Sequence, residues 1–464
     1  MSQPTLDQLS ALCKRRGFVY PTSDIYGGLA NSYDYGPVGV ELLRNIKNIW
    51  WQAFIHGRTD MVGLDSQILL HPETWVASGH VGSFSDPLVE DKVSKKRFRA
   101  DHLIEAWIEK QQDPTQFPTV ENMKIDEMAA FITAHDLKSP DGNELTSPKS
   151  FNLLFESSIG VVAGEKSTVY LRGETAQGIF SDFKPILDSS RVQLPFGVGQ
   201  IGRSFRNEIT MGQFIFRTIE FEQAEIEYFF DPTKMDWQKL LKDWQESMWS
   251  FVTTQLGIHE DHLRWRQHTD KERSHYSKDT YDLDYQFSFG WKELWGIAYR
   301  TDYDLKQHMQ FSGKSLEYTD PNTGDKLVPH VIEPALGVNR AFLMVLADSF
   351  WIDVEKNRTV LKLKPSLAPY KIAVFPLVKN KEEIVTKAKE VFQLCSTQAY
   401  TAWDERGNIG KRYLSQDEIG TPACLTIDYQ TLEDNTVTWR DRDTAEQVRV
   451  SISELPSKIA SMLQ

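Results

Sequence analysis

Apolar residues recur at helical spacing in GVELLRNIKNIWWQAF, where Val40, Leu43, Ile46, Ile49 and Trp50 share one face. Pro37 stands just before, where a first helical turn tolerates proline. The segment MVGLDSQILL (61–70) reads as a strand halted by Pro72. Between 86 and 150 the pattern changes, with charge-rich helical stretches (DHLIEAWIEKQQ, IDEMAAFITAHDLK) alternating with polar linkers. This predicts an insertion outside the main sheet. Strand signals return from Leu153 in STVYLRGE, PFGVGQIGRSFRNE and FRTIEFEQAEIEYFF, and residues 232–275 read as a second, helical and Trp-rich insertion. Strands resume at TYDLDYQFSFG and LWGIAYRTDYDL, and a helix follows GVNR in GVNRAFLMVLADSFW. The prolines and serine of LKPSLAPYK (363–371) mark a boundary, which predicts one domain over 1–365 and another over 366–464. In the second, KIAVFPL, a helix from about Glu382 to Leu394, AYTAWD, ACLTID and TVTWRD alternate strand with helix, the pattern of a compact α/β domain with a mixed sheet.

Composition adds exclusions. The 464 residues are 40% hydrophobic, 12% aromatic and 25% charged, the profile of a soluble globular protein. No apolar run reaches the length of a membrane span, and the N-terminus lacks the apolar core and cleavage site of a signal peptide. Cys13, Cys395 and Cys424 lie far apart with no CxxC motif, which argues against a disulfide framework and a structural zinc site and for a cytoplasmic location. A net charge of −13 disfavours non-specific adhesion to nucleic-acid backbones, so any nucleic-acid partner must meet a local basic surface.

The chemistry concentrates in FRNEITMGQFIFRTIEFEQAEIE (205–227), which carries two arginines and five glutamates on two strand-like segments. Arg206 and Glu208 are two residues apart and so share a face, as do Glu220 and Glu222, and the connecting TMGQ contains a turn glycine. An arginine can fork onto a phosphate, a phenylalanine such as Phe221 offers a flat face to a heterocycle, and carboxylates hold an ammonium group or a divalent cation. Two readings stay open on these residues alone: a nucleotide site, or a row of cross-strand ion pairs on a solvated face.

This segment resembles motif 2 of the class II aminoacyl-tRNA synthetases, through Arg206, Glu208, Phe221 and Glu225. Residues 37–72 resemble motif 1, which in that family forms the dimer interface, and GVNR with its apolar helix (331–350) resembles motif 3. The resemblance narrows to the homodimeric glycyl-tRNA synthetases through DIYGGLANSYDYGPVG (24–39), LLHPETWVASGHVGSFSDP (69–87), FRADHL (98–103), LRGETAQGIF (171–180), RSFRNEI (203–209) and VIEPALGVNR (331–340). It implies an α+β catalytic domain on an antiparallel sheet, with insertions, and a C-terminal α/β anticodon-binding domain. It also implies a homodimer that joins glycine to tRNA(Gly) at the expense of ATP.

The site residues are carried over by motif. Arg206 would grip the α-phosphate, Phe221 would stack on adenine, and Arg217 and Arg340 would serve the outer phosphates. Asn207, Glu208, Phe216, Leu294 and Gly337 complete the ATP side, with Glu293 beside ATP and its Mg²⁺. Arg206, Arg340 and Glu293 are the expected catalytic set. The glycine site would take Arg99, Glu174, Phe221, Glu222, Gln223, Glu225, Arg300 and Glu333. Among these, Glu174, Glu222 and Glu333 are expected around the ammonium group and Arg300 at the carboxylate.

Two positions depart from the family: Gly173 where a proline is frequent, which would loosen a strand, and Ala335 where many members have serine. In the C-terminal domain Arg406, Lys411, Arg412, Trp439 and Arg440 are candidate tRNA contacts. Retention of Arg206, Arg217 and Arg340 argues against a non-catalytic relative, and the carboxylates with TAQG favour glycine over serine or alanine.

Overall fold

The computed structural model describes residues 3–463 apart from 121–122, 161–166, 209–212, 271 and 274–276, so most of the predicted TMGQ turn lies outside the described residues. The centre is a seven-stranded sheet. In chain order its strands are β1 (Met61–Gly63), β2 (Phe196–Phe205), β3 (Glu220–Phe230), β4 (Leu263–Gln267), β5 (Asp279–Phe287), β6 (Gly290–Thr301) and β7 (His330–Gly337). In space they run β4-β5-β6-β7-β3-β2-β1, antiparallel except for the parallel pairing of β1 with β2.

Strand periodicity gives the sheet two unlike faces. Ala224, Ile226, Tyr228, Leu283, Ile297 and Leu336 turn to one side and join the largest core cluster with the helices Gly39–Trp51 and Val338–Ser349. Leu42, Leu43, Ile46 and Trp50 supply the apolar stripe of the first helix. On the opposite face Glu225, Glu227, Arg300 and Glu333 replace this oil with charge. A sheet that buries carboxylates on one side is unusual enough to need a ligand or a proton to explain it.

Three sequence expectations are corrected. The strand over 61–70 shrinks to Met61–Gly63, because its ladder with β2 ends at the Leu64 amide and the chain beyond makes the isolated bridge Leu69–Leu171. Residues 232–275 are not an insertion outside the core. The helix Trp237–Ser250 puts Leu240, Leu241, Trp244 and Met248 into the main cluster, and Leu263–Gln267 is the sheet's edge strand, its alternating LRWRQ paired with β5. Gly173 belongs to no strand, since the strand before it ends at Tyr170. Its carbonyl instead accepts a hydrogen bond from Arg206.

Residues 85–152 form a separate body. Strand Ser85–Glu90 pairs with both Arg97–Arg99 and Lys149–Asn152, which brings the two ends of the segment together. The helices Ala100–Ile108 and Ile125–Ala134 close a small core of their own around Ile104, Met128 and Phe131. Beyond the boundary, Ile372–Pro376, Thr401–Trp403 and Ala423–Ile427 run parallel, and Thr436–Asp441 and Gln447–Ser451 continue antiparallel, giving a mixed five-stranded sheet. The three cysteines are buried and unpaired, with burial pushing the Cys395 thiol up to about 12. Among the described residues no helix is long and apolar enough to cross a membrane.

Candidate active site

A cavity of about 240 Å³ opens on the charged face of the sheet, over β3, β6 and β7. One end is cationic and aromatic. Arg206, just past the end of β2, donates from Nε to the Gly173 carbonyl at 3.0 Å, with its guanidinium 5.2 Å from the Phe84 ring and 5.3 Å from Phe221. It forms no ion pair among the described residues, so its forked donors face the cavity. Arg217 pairs with Glu208 at 2.6 Å. Arg340, in the first turn of the helix after β7, lies 4.6 Å over Phe216 and pairs with Glu293 at 2.9 Å. All of these except Phe84 and Gly173 line the cavity, as does Gly337.

The other end is a set of glutamates. Glu174, Glu225 and Glu333 all line the cavity and all are at least nine-tenths buried. Glu225 accepts from the Thr175 amide at 2.9 Å, from the Thr175 hydroxyl and from Gln223 at 2.7 Å. Glu174 accepts from Gln177 at 2.9 Å and lies 3.4 Å from His80. Burial alone would raise its pKa, but His80, Arg300 and Gln177 outweigh burial and hold it well below the usual carboxylate range. Glu333 goes the other way: burial pushes it up to about 8, Arg300 opposes, and Glu225 and Glu174 add to the rise.

Not every expected residue reaches the cavity with its side chain. Glu222 is three residues from Glu225, so strand alternation turns it to the opposite face, where Lys47 holds its carboxylate at 2.9 Å. It borders the cavity without joining Glu174 and Glu333. Arg300 is 1% exposed and sits behind Glu333, donating to it at 2.6 Å and to Asp304 at 2.7 and 2.8 Å. Its place at a ligand carboxylate is therefore corrected to a support under the floor. Leu294 is a core residue, because a bulge between β5 and β6 sends both Leu294 and Trp295 to the apolar side and leaves Glu293 on the charged one. Arg99 is held outside the cavity by Asp86 at 3.1 Å and Asp101 at 2.5 Å, and the Asn207 amide donates to the Leu153 carbonyl without its side chain lining the site.

Prolyl-tRNA synthetase from Cryptosporidium parvum, solved with halofuginone and AMPPNP, matches the fold at TM-score 0.63 and 15% identity, covering 98% of this chain and 77% of that one. Glycine–tRNA ligase of Clostridium tetani is 48% identical over 468 residues, covering 100% of this chain and 99% of the relative. That of Clostridium acetobutylicum is 49% identical over 461 residues, with 98% and 97% covered. The chain belongs to the glycine–tRNA ligase family. Within it, residues 86–124 match the glycyl-tRNA synthetase insertion domain 1, and residues 371–462 match the anticodon binding domain.

For a glycine–tRNA ligase the C-terminal candidates divide sharply. Arg406 and Lys411 are exposed. Arg412 is 3% exposed and spends its donors on the backbone carbonyls of Pro376, Glu405, Arg406 and Gly407. Arg440 is bidentate to the buried Asp417 at 2.7 and 2.8 Å, and Trp439 is packed in the domain core under Lys458. These three hold the domain together and are withdrawn as tRNA contacts.

Four residues at or behind the site escaped the sequence reading. Asn339 accepts from the Glu222 amide at 2.8 Å and donates to Tyr35 at 2.7 Å, while His80 and Phe84 back Glu174 and Arg206. Nothing in their local sequence announces these roles, since all three act across long chain separations. Glu227 is different. It shares the β3 face with Gln223 and Glu225, so its position followed from the two-residue period of EQAEIE.

Proposed function

We propose that the protein is a glycine–tRNA ligase that forms glycyl-adenylate from glycine and ATP and passes the glycyl group to the 3′ end of tRNA(Gly). The observation that carries this reading is the division of one cavity into a phosphate-grade end (Arg206, Arg217, Arg340 with Phe216 and Phe221) and an ammonium-grade end (Glu174, Glu225, Glu333). A glycine carboxylate oxygen attacks the α-phosphorus, and pyrophosphate leaves. Arg206 holds the charge that gathers on the α-phosphate oxygens, Arg217 and Arg340 hold the leaving group, and Phe221 carries the adenine. A hydroxyl of the terminal adenosine then attacks the glycyl carbonyl carbon and AMP leaves. Neither step needs a nucleophilic side chain, so positioning and preorganised charge supply the rate.

The half-exposed carboxylate of Glu293 suits a Mg²⁺ ion, which takes one or two protein carboxylates and fills its shell from phosphates and water. When bound there, the ion supplies charge neutralisation on the outer phosphates. Selection of glycine follows from a buried floor in which carboxylates and Ala335 occupy the space a side chain would need, and added atoms are easier to refuse than missing ones. The chain acts as a homodimer through the 37–72 segment, and Arg406 and Lys411 serve the tRNA.

The test is ATP–pyrophosphate exchange. Glycine is expected to stimulate exchange and neither alanine nor serine to do so at equal concentration. Exchange that glycine fails to raise above background contradicts the assignment.

A further inference from the structure

Glu227 has no place in the reaction as written, yet it is the most demanding residue near the site. It is 0% exposed, and neither carboxyl oxygen has a hydrogen-bond partner among the described residues. The strand register shows what lies opposite. Glu225 pairs with Ala335 and Tyr228 with Ile332 across β3 and β7, so Glu227 falls across from Glu333. Side chains directly opposite on one sheet face have Cβ atoms about 5 Å apart, and like charges there repel. Gln200 and Val198 on β2, flanking the other side, bring no charge. The remaining charged or titratable groups around it are Glu225 on its own strand, Arg300 on β6, Asp304 and His308 on the helix Tyr303–Ser312, and Glu174 just before the helix Ala176–Ser181. Arg300 already donates to Asp304 and Glu333, and His308 contacts Gln177. Of these carboxyl groups Glu174 has His80 at 3.4 Å, Glu225 feels Arg206 and Arg172, and Glu333 shares Arg300 with Asp304, which leaves Glu227 with no cation of its own among the described residues. The pair that faces itself across the strands cannot both ionise without a further cation.

We infer that glycine binding at this site is coupled to proton release: Glu227 and Glu333 each hold a proton before glycine arrives, and the Glu333 proton leaves to solvent as the ammonium group takes its place. Glu227 keeps its proton throughout, because it does not line the cavity and so receives no donor from the ligand. The balance is simple. A neutral Glu333 carboxyl and a glycine ammonium become a carboxylate–ammonium pair, and one proton passes to buffer, with no covalent bond otherwise changed. Burial, Glu333 and Glu225 all act to raise the Glu227 pKa, and burial with Glu225 and Glu174 does the same for Glu333. Rejection of uncharged amino-group mimics follows as well, since a ligand without a cation cannot displace the proton.

The inference rests on the glycine reading, and calorimetry separates the two. Glycine titrated into the full-length protein in phosphate and in Tris, buffers of unlike ionisation enthalpy, is expected to release a proton at pH 7, below the Glu333 value of about 8, and to show no net release at pH 9, above it. Heat of binding with no dependence on buffer overturns the proton coupling and leaves glycine binding standing. No heat of glycine binding, with ATP binding intact, overturns the glycine reading and this inference with it. The standing proton on Glu227 has its own test in Glu227→Gln, whose neutral amide keeps the shape. The folded state holds a proton that the unfolded chain gives up above the ordinary carboxylate range, so the wild type loses stability as pH rises. The thermal midpoint of Glu227→Gln is expected to match the wild type near pH 4, below the unfolded glutamate pKa of about 4.3, and exceed it at pH 8. Equal midpoints at both pH values would overturn the assignment of that proton.

Discussion

Arg206→Ala is expected to slow glycine-dependent ATP–pyrophosphate exchange by about 10²–10³-fold, the usual consequence of removing one preorganised donor from charge that develops in a transition state. The reasoning is geometric. Arg206 is anchored at one point, Nε on the Gly173 carbonyl, and steadied by the rings of Phe84 and Phe221. Its other donors are left for an anion. The charge on the α-phosphate oxygens grows as glycine attacks, so the loss falls mainly on kcat and only slightly on the KM for ATP. Stability changes little, because two cation–π contacts at a part-exposed site are worth about 1 kcal/mol each or less. Arg206→Lys keeps the charge but not the planar fork, and its rate is expected between the two. An unchanged kcat, or a fall that tracks a loss of fold by circular dichroism, contradicts the role.

Much of this site was readable from residue order, and the failures have physical causes. Arg206, Arg217, Arg340, Phe216 and Phe221 do meet at one cavity, as the resemblance to motifs 2 and 3 implied. Glu222 lines the cavity, but its grouping with Glu174 and Glu333 overlooked that a spacing of three from Glu225 puts the two on opposite faces of any regular strand. Leu294 and Arg300 could not be placed this way. Leu294 sits where the β6 register slips by one residue and a bulge reverses the alternation on which strand reasoning depends, and Arg300, although on the expected face, is drawn beneath Glu333 by its ion pairs with Glu333 and Asp304. Arg99 was drawn into the site by motif proximity, whereas Asp101, two residues on, and Asp86, on the paired strand, hold it away. At the level of elements, the helix-rich tone of 232–275 hid a strand of five residues, since Trp237–Ser250 dominates the window and LRWRQ is too short to alter it. The C-terminal arginines failed for a different reason. Sequence cannot tell a cation aimed at RNA from one aimed at a buried carboxylate.

That last distinction leads to the second large effect, at Asp417. Its side chain is 1% exposed and lies between Arg358, at 2.9 Å, and Arg440, at 2.7 and 2.8 Å. Arg358 belongs to the hairpin Phe350–Asp353/Arg358–Leu361 of the catalytic half, and Asp417 and Arg440 to the C-terminal domain, so one carboxylate joins the two. Arg442 adds a second tie through the Leu363 and Gly420 carbonyls, and Glu418 meets Arg15 and Arg16 of the N-terminal helix Leu6–Arg16. Asp417→Ala removes the acceptor for three hydrogen bonds and leaves the Arg440 guanidinium buried without its counter-charge, while Arg358 keeps its pair with Asp353 at 2.9 Å. Breaking a buried pair in this way costs about 3–5 kcal/mol, which is roughly 10²-fold or more in the balance between docked and undocked domains. The substitution touches no residue of the cavity. Exchange with glycine and ATP is therefore expected to persist near the wild-type rate at low temperature, while charging of tRNA, which needs the C-terminal domain held in register with the site, falls steeply and is lost first on warming. Asp417→Asn, which retains two of the contacts, is expected to lie between. If exchange and charging fall in parallel at every temperature, Asp417 acts on the whole fold and not on the junction. If neither falls, the arginines find other partners and the buried triad is not what holds the two halves together.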